Sequence, residues 1–280
     1  MMSSALALVT DSSACLPAES RRRFDVQVVP ILVQIGPGEF RDGVDLEAST
    51  LYRALAEGMP VKSAAPTPLE YLDAIERTEA EQVVVITPAT EFTWMFRNAS
   101  LASELASRRV TVIDSRSATA GHALVVLAAM EARDKGGSVD DVVSAAEDAA
   151  SRVELVGCLE TLDFLRASGR VPALALGVAG QLGVRPVFRF RDGVAERVGL
   201  PRTEDAALAR IVREWRAGGG DEATRCAVFH AARPEGAAEL ARRLGGASFM
   251  TEFSPAMGIH TGPGVVGVAW LRRPFAELSQ

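Results

Sequence analysis

Short apolar runs alternate with longer amphipathic stretches along the first half of the chain. Ala5-Leu6-Ala7-Leu8-Val9 predicts a buried strand that stops at the polar run Thr10-Asp11-Ser12-Ser13. Residues 26–33 form a second β-rich run. Val83-Val84-Val85-Ile86 and Val110-Thr111-Val112-Ile113 are short, apolar and β-branched, as central strands of parallel sheets are. Between these runs, residues 46–57, 68–77 and 97–107 read as amphipathic helices. This alternation predicts a mostly parallel α/β layer. Residues 118–133 and 139–152 read as two consecutive helices, broken at Gly136-Gly137.

The rhythm changes after Arg152. Residues 153–159 read as a strand and 161–167 as a helix. Residues 184–190 and 194–198 face each other across Arg191-Asp192-Gly193, a hairpin signal. Helices are expected at 204–216 and 235–244, and strands at 226–229, 248–253 and 265–270. The expectation is an α/β protein of two domains. Residues 1–152 form an N-terminal α/β domain on a mostly parallel sheet, and residues 153–280 a C-terminal α/β domain on a mixed or antiparallel one. A chain of 280 residues is long enough for two cores.

Composition narrows the function classes. A hydrophobic share of 48% and a charged share of 24% are ordinary for a soluble globular protein. The net charge of −6 argues against nucleic acid as a bulk partner. No apolar window reaches the roughly 18 residues of a membrane span. The N-terminus lacks the basic and long apolar regions of a signal peptide. Cys15, Cys158 and Cys226 are far apart, which fits neither a disulfide framework nor a zinc site. Cytoplasmic residence is the expectation.

The candidate chemistry lies at strand ends and in one C-terminal run. Ligands of open α/β sheets bind beyond the carboxyl ends of the strands. Three such ends are rich in hydroxyls: Thr10 to Ser13, Thr87 to Thr90 with Thr93 beyond, and Asp114 to Ser117. Helix capping accounts for any one of them; their convergence favours a small polar or anionic group. His260-Thr261-Gly262-Pro263-Gly264 holds one of only three histidines, directly before an apolar strand-like run. Its glycines and proline predict a tight turn, and the imidazole suits an anion or a proton near neutral pH. The alternative is a plain structural turn. The chain has no phosphate loop, no GxGxxG, no GxSxG elbow and no HExxH. Asp11, Asp42, Asp45 and Asp114 have no spacing that demands a metal. Arg170, Arg185 and Arg202 are either solvated charge or an anion-docking face.

Taken in order, several segments resemble the DegV family, the fatty-acid-binding subunits of bacterial fatty acid kinases. They are Val9-Thr10-Asp11-Ser12-Ser13-Ala14, Val29-Pro30, Arg41-Asp42-Gly43, Val112-Ile113-Asp114-Ser115-Arg116, Gly169-Arg170, Val184-Arg185-Pro186 and His260 to Gly264. The resemblance implies two α/β domains with a long-chain fatty acid buried along or between them. It implies that two hydroxyls and the histidine hold the carboxylate. It further implies that a separate ATP-binding kinase subunit phosphorylates that carboxylate to an acyl phosphate, a step linked to phospholipid synthesis. The binding protein is then not an enzyme, has no catalytic residue of its own, and needs neither metal nor cofactor.

Carried over by position, the carboxylate ligands are Ser63, Thr93 and His260, with Trp94, Met95, Thr261 and Gly262 as pocket candidates. Arg170 and Arg202 match basic residues near the kinase-docking surface. The sequence departs from the family pattern at Ala64-Ala65, at Trp94-Met95 in place of Gly-Thr, and at Cys15 in place of the usual Asp. Trp94 is expected to put a large ring beside the head group. Two other readings follow: a diverged member that takes another hydrophobic carboxylic acid, or an acyl hydrolase or transferase using Thr93 or Ser63 with His260. A long tail supplies binding energy at about 0.8 kcal/mol per buried methylene. Much of that is offset by ordering the chain.

Overall fold

A computed structural model describes residues 6–168 and 183–274. In chain order its first half contains β1 (Leu6–Asp11), α1 (Ala18–Arg23), β2 (Val26–Val29), β3 (Leu32–Ile35), β4 (Gly38–Arg41), α2 (Ala48–Ala56), β5 (Val61–Ala64), α3 (Pro68–Glu76), β6 (Gln82–Thr87), α4 (Met95–Leu105), β7 (Arg109–Asp114), α5 (Thr119–Asp134) and α6 (Val139–Arg152). The second half contains β8 (Val153–Cys158), α7 (Asp163–Ala167), β9 (Val187–Arg191), β10 (Val194–Gly199), α8 (Glu204–Ala217), β11 (Arg225–His230), α9 (Pro234–Leu244), β12 (Phe249–Glu252), α10 (Pro255–Thr261) and β13 (Val266–Leu271).

The predicted apolar runs 5–9, 83–86 and 110–113 become β1, β6 and β7 of one all-parallel sheet, in the order β2-β1-β6-β7. Two of its helices start where the sequence supplies caps. Thr67 and Glu70 cap α3 reciprocally, with Pro68 in the first turn, and Ser138 and Asp141 do the same for α6. The run 26–33 is not one strand. It breaks at Pro30-Ile31, and its second part pairs away from the parallel sheet into a small antiparallel sheet, β4-β3-β5. Pro30 has no N–H to donate, so the ladder ends there.

The second half builds a six-stranded sheet, β10-β9-β8-β13-β11-β12, antiparallel except for the β11–β12 pair. The hairpin β9–β10 turns on Asp192 (φ 52°) and Gly193 (φ 80°). Two positive φ values are what a two-residue turn needs to follow the strand twist.

Helix α5 is buried on nearly every side. It packs on β1 and β6 of the parallel sheet and on β8, β11 and β13 of the six-stranded sheet. A helix between two apolar surfaces has no use for a polar face, which explains the unbroken Ala-Leu-Val-Val-Leu-Ala-Ala-Met run at 123–130. One apolar core therefore extends from Leu8, Val84 and Ile86 through Leu124 and Val125 to Leu155, Phe229 and Ala269. The candidate site opens at the edge of this shared core.

Candidate functional site

β1 lies between β2 and β6, so the chain runs outward from it in both directions. Such a switch point leaves a crevice at the carboxyl ends of β1 and β6. A cavity of about 170 Å³ opens there. Ser13, just past β1, and Pro88, just past β6, form part of its wall. Most of the rest is apolar, including Ile31, Leu155, Phe188, Phe190, Phe229 and Phe253. Two ring pairs stiffen it: Phe92 with Phe190 at 4.9 Å between centroids, and Phe229 with Phe253 at 5.5 Å.

Ser63, Thr93 and His260 all line this cavity, from three separate elements. Ser63 lies on β5, opposite Val33 of β3. Thr93 lies in the turn that leads into α4. His260 lies in the last turn of α10. Ser63 Oγ and His260 Nε2 are 3.0 Å apart, a hydrogen bond between residues nearly two hundred positions apart in the chain. The half-buried imidazole thus presents one nitrogen and a neighbouring hydroxyl to an apolar hollow.

α10 holds His260 in place from several directions. It packs on β3 and β5, on α2, and on α7. Gly258 lies against Leu51 and Tyr52 of α2, where a Cβ would come within 2.9 Å of the tyrosine oxygen. The helix begins at Pro255, and Ala256 N–H donates to Asp42 Oδ1 at 3.0 Å. Asp42 thus caps the helix from a distant loop, as a side-chain oxygen does at an N-cap.

The predicted tight turn starts later than the sequence suggests. His260 and Thr261 are helical, and the turn is confined to Gly262, Pro263 and Gly264. Met95 and Thr261 line the cavity. Two other expectations are corrected. Trp94 does not face the cavity; it is 66% exposed, and its ring stacks under the Arg97 guanidinium at 5.3 Å. It occupies the N-cap position of α4, so Thr93 and Met95 turn inward while Trp94 points to solvent. Gly262 is also not in the wall; it packs on the Phe164 ring. Replacing Trp94 with Gly should therefore leave the affinity of the cavity for an apolar ligand within about threefold of the parent protein. A titration with a long-chain acid checks this; a larger change means the ring shapes the site.

Most of the other strand-end hydroxyls serve the scaffold. Thr10 Oγ1 donates to the Ile86 carbonyl at 2.9 Å and meets His122 Nε2 at 3.1 Å. Thr90 binds the Asp114 carboxylate through its N–H and its hydroxyl. Burial pushes the His122 imidazole down to about 4, so it is neutral near pH 7. Arg202 is exposed ahead of α8, and Arg170 lies outside the described residues. No cluster among the described residues has the make-up of a metal site.

A second hollow, of about 360 Å³, lies beside the first and was not foreseen. Asp11, Asp42, Arg21, Glu47 and Glu252 line it. Its charged wall is unsuited to hydrocarbon. Burial raises the Asp11 carboxyl from 3.8 to about 7, against the hydrogen bonds from Ser13 and Tyr71 that lower it. Asp42 is raised as well, first by burial. Between pH 3.8 and 7 the unfolded chain releases the Asp11 proton and the folded chain keeps it. This contribution to stability is complete below pH 3.8 and is lost as pH rises through 7. Asp11→Asn removes it. The unfolding free energy of the variant relative to the parent should rise by a few kcal/mol, about 4 at most, from pH 4 to pH 8. Urea titrations across that range test this, and a constant difference would contradict it.

With this geometry in place, the relatives of the chain can be compared. A family model described as "Uncharacterised protein, DegV family" matches residues 5–273. The chain belongs to the DegV family. A DegV domain-containing protein of Streptomyces coelicolor is 32% identical over 278 residues, covering 95% of this chain and 98% of that one. One from Mycobacterium tuberculosis is 32% identical over 271 residues, covering 93% and 95%. Among solved structures, the DegV protein of Thermus thermophilus, described by its fatty acid binding, has a TM-score of 0.88 and 25% identity, covering 96% of this chain and all of that one. The DegV fatty acid binding protein of Bacillus subtilis shares the fold with a TM-score of 0.86 at 24% identity, covering 96% and 99%. A stearic acid-binding protein of Eubacterium ventriosum shares it with a TM-score of 0.86 at 22% identity, covering 95% and 98%. The DegV fold thus agrees with the α/β class read from the sequence. Among the described residues, no helix is long and apolar enough to cross a membrane.

Proposed function

We propose that this DegV protein buries a long-chain fatty acid and holds its carboxylate with Ser63, Thr93 and His260. The observation that carries the reading is the hydrogen-bonded Ser63–His260 pair on the wall of a largely apolar cavity. Charge-assisted hydrogen bonds from such groups contribute about 1.5–3 kcal/mol each. The apolar wall supplies the larger share through burial of methylenes. The fatty acid binding described for the Thermus thermophilus relative supports a fatty acid as the ligand.

The next step in the proposal is presentation of the bound carboxylate to a separate ATP-binding kinase subunit, which makes the acyl phosphate. Arg202, exposed ahead of α8, and Arg170 are the proposed docking residues. The chain carries no phosphate loop, so the nucleotide belongs to the partner. Residence in the cytoplasm belongs to the same proposal.

The Ser63–His260 pair also has the form of a nucleophile with its base. Ser63 lies within strand β5, however, and not on a strained strand-to-helix turn of the hydrolase kind. Incubation with a long-chain acid and with its p-nitrophenyl ester separates the two readings. The carrier reading expects a stoichiometric complex with the acid and no turnover of the ester. Repeated turnover that is lost in Ser63→Ala would overturn it.

A further inference from the structure

Three polar residues in the cavity wall are not used by the carboxylate clamp. The Thr261 hydroxyl donates to the Met257 carbonyl of its own helix, which leaves Ser13 and Thr119. Ser13 lies in a short turn (Ser12–Ala14) after β1, and Thr119 opens α5. The two elements pack on one another, and both side chains line the cavity.

Thr119 is unusual in two respects. Its side chain is buried, with the residue only 2% exposed, yet Oγ1 has no nitrogen or oxygen partner among the described residues. The one group it reaches is the Cys15 thiol, whose pKa this contact lowers, and sulfur is a weak hydrogen-bond partner. Its backbone has φ 44°, a region that β-branched residues avoid. An alanine there would relieve the buried hydroxyl and the crowding together. A strained residue with an unsatisfied polar atom, facing a ligand cavity, points to a role in the bound state.

Ser13 complements it. Ser13 Oγ donates to Asp11 Oδ1, so its proton is committed and its lone pairs are what it offers. Thr119 Oγ1 has a proton to give. One group on a ligand satisfies both: an alcohol, which donates to Ser13 and accepts from Thr119. A plain methylene chain satisfies neither and leaves Thr119 Oγ1 against hydrocarbon.

We infer that Thr119, with Ser13, recognises a hydroxyl group on the acyl chain, so that the cargo of this protein is a hydroxy fatty acid. The inference rests on the carrier reading above and specifies its substrate class. Sites built to hydrogen-bond a ligand hydroxyl discriminate against analogues that lack it, because their own polar groups are then left unpaired.

The test uses delipidated full-length protein and a panel of eighteen-carbon saturated acids. One is stearic acid; the others carry a single hydroxyl at successive positions. At least one hydroxy acid should bind about tenfold more tightly than stearic acid. Thr119→Val keeps the shape and the branching and removes the hydroxyl, and it should bring that ratio to about one, whereas Thr119→Ser should restore it. Thermal melts confirm that each variant is folded. Stearic acid binding as well as every hydroxy acid overturns the inference and leaves the carrier reading standing. An equal loss for all acids in Thr119→Val also overturns it, because Thr119 then serves the carboxylate. Failure of every acid to bind the parent protein overturns the carrier reading and the inference with it.

Discussion

Replacing His260 with Ala should weaken long-chain fatty acid binding by about 10- to 100-fold, the loss of one charge-assisted hydrogen bond. The imidazole lies in the cavity wall and shares a hydrogen bond with Ser63. Its removal takes away the proposed carboxylate ligand and also releases the Ser63 hydroxyl from its position. The apolar wall of Phe190, Phe229 and Phe253 remains. Residual binding should therefore persist, with the orientation of the acid less defined. Isothermal titration with a long-chain acid gives the affinity. The corresponding alcohol serves as a control, because it has no charge to be held. Its affinity should change much less than that of the acid. Equal losses for acid and alcohol would mean that His260 shapes the cavity and does not bind the anion.

Replacing Gly262 with Ala should be the most damaging small change in the site region. Gly262 ends α10 with φ 70° and ψ 179°, a backbone state that is almost exclusive to glycine. A Cβ there would lie 2.1 Å from the Phe164 ring. Backbone strain and overpacking each cost about 1–3 kcal/mol, so a loss of about 2–5 kcal/mol is expected. In a protein of this size, that lowers the melting temperature by roughly 10 °C. The effect should reach the site as well, since His260 lies two positions earlier and α10 rests on α7 through this contact. A melting curve within about 2 °C of the parent would show that α7 yields freely, and would contradict this account.

Much of this architecture was legible in the pattern of residues. The apolar β-branched runs gave β1, β6 and β7, and the Arg-Asp-Gly turn gave the β9–β10 hairpin. The small antiparallel sheet was not legible. Its strands have four residues each and β4 and β5 are half-exposed, so neither length nor alternation sets them apart from loop. α10 was hidden for a different reason. It has seven residues with Pro255, Gly258 and the following Gly262-Pro263-Gly264, a composition that reads as a turn. Only its packing on α2, α7 and β5 makes it a helix.

The residues of the candidate site could be listed from the sequence, but the directions of their side chains could not. Ser63 and His260 came from separate parts of the sequence, and the fold brings them to 3.0 Å. Trp94 was misplaced because adjacency to Thr93 says nothing about which way a residue at a helix start points. The strained backbone of Thr119 left no trace in the sequence, because positive φ is a property imposed by the packing of α5 on its neighbours. The charged hollow around Asp11 and Asp42 was equally hidden, since each aspartate alone reads as a helix cap or a turn residue.

We propose that the apolar cavity at the β1–β6 crevice holds a fatty acid by its carboxylate. Native mass spectrometry of the purified protein, followed by lipid extraction of the same sample, tests it most directly. One long-chain acid per chain is expected, with occupancy markedly reduced in the His260→Ala variant. A protein that is empty as purified, and that takes up no long-chain acid when offered one, would contradict it.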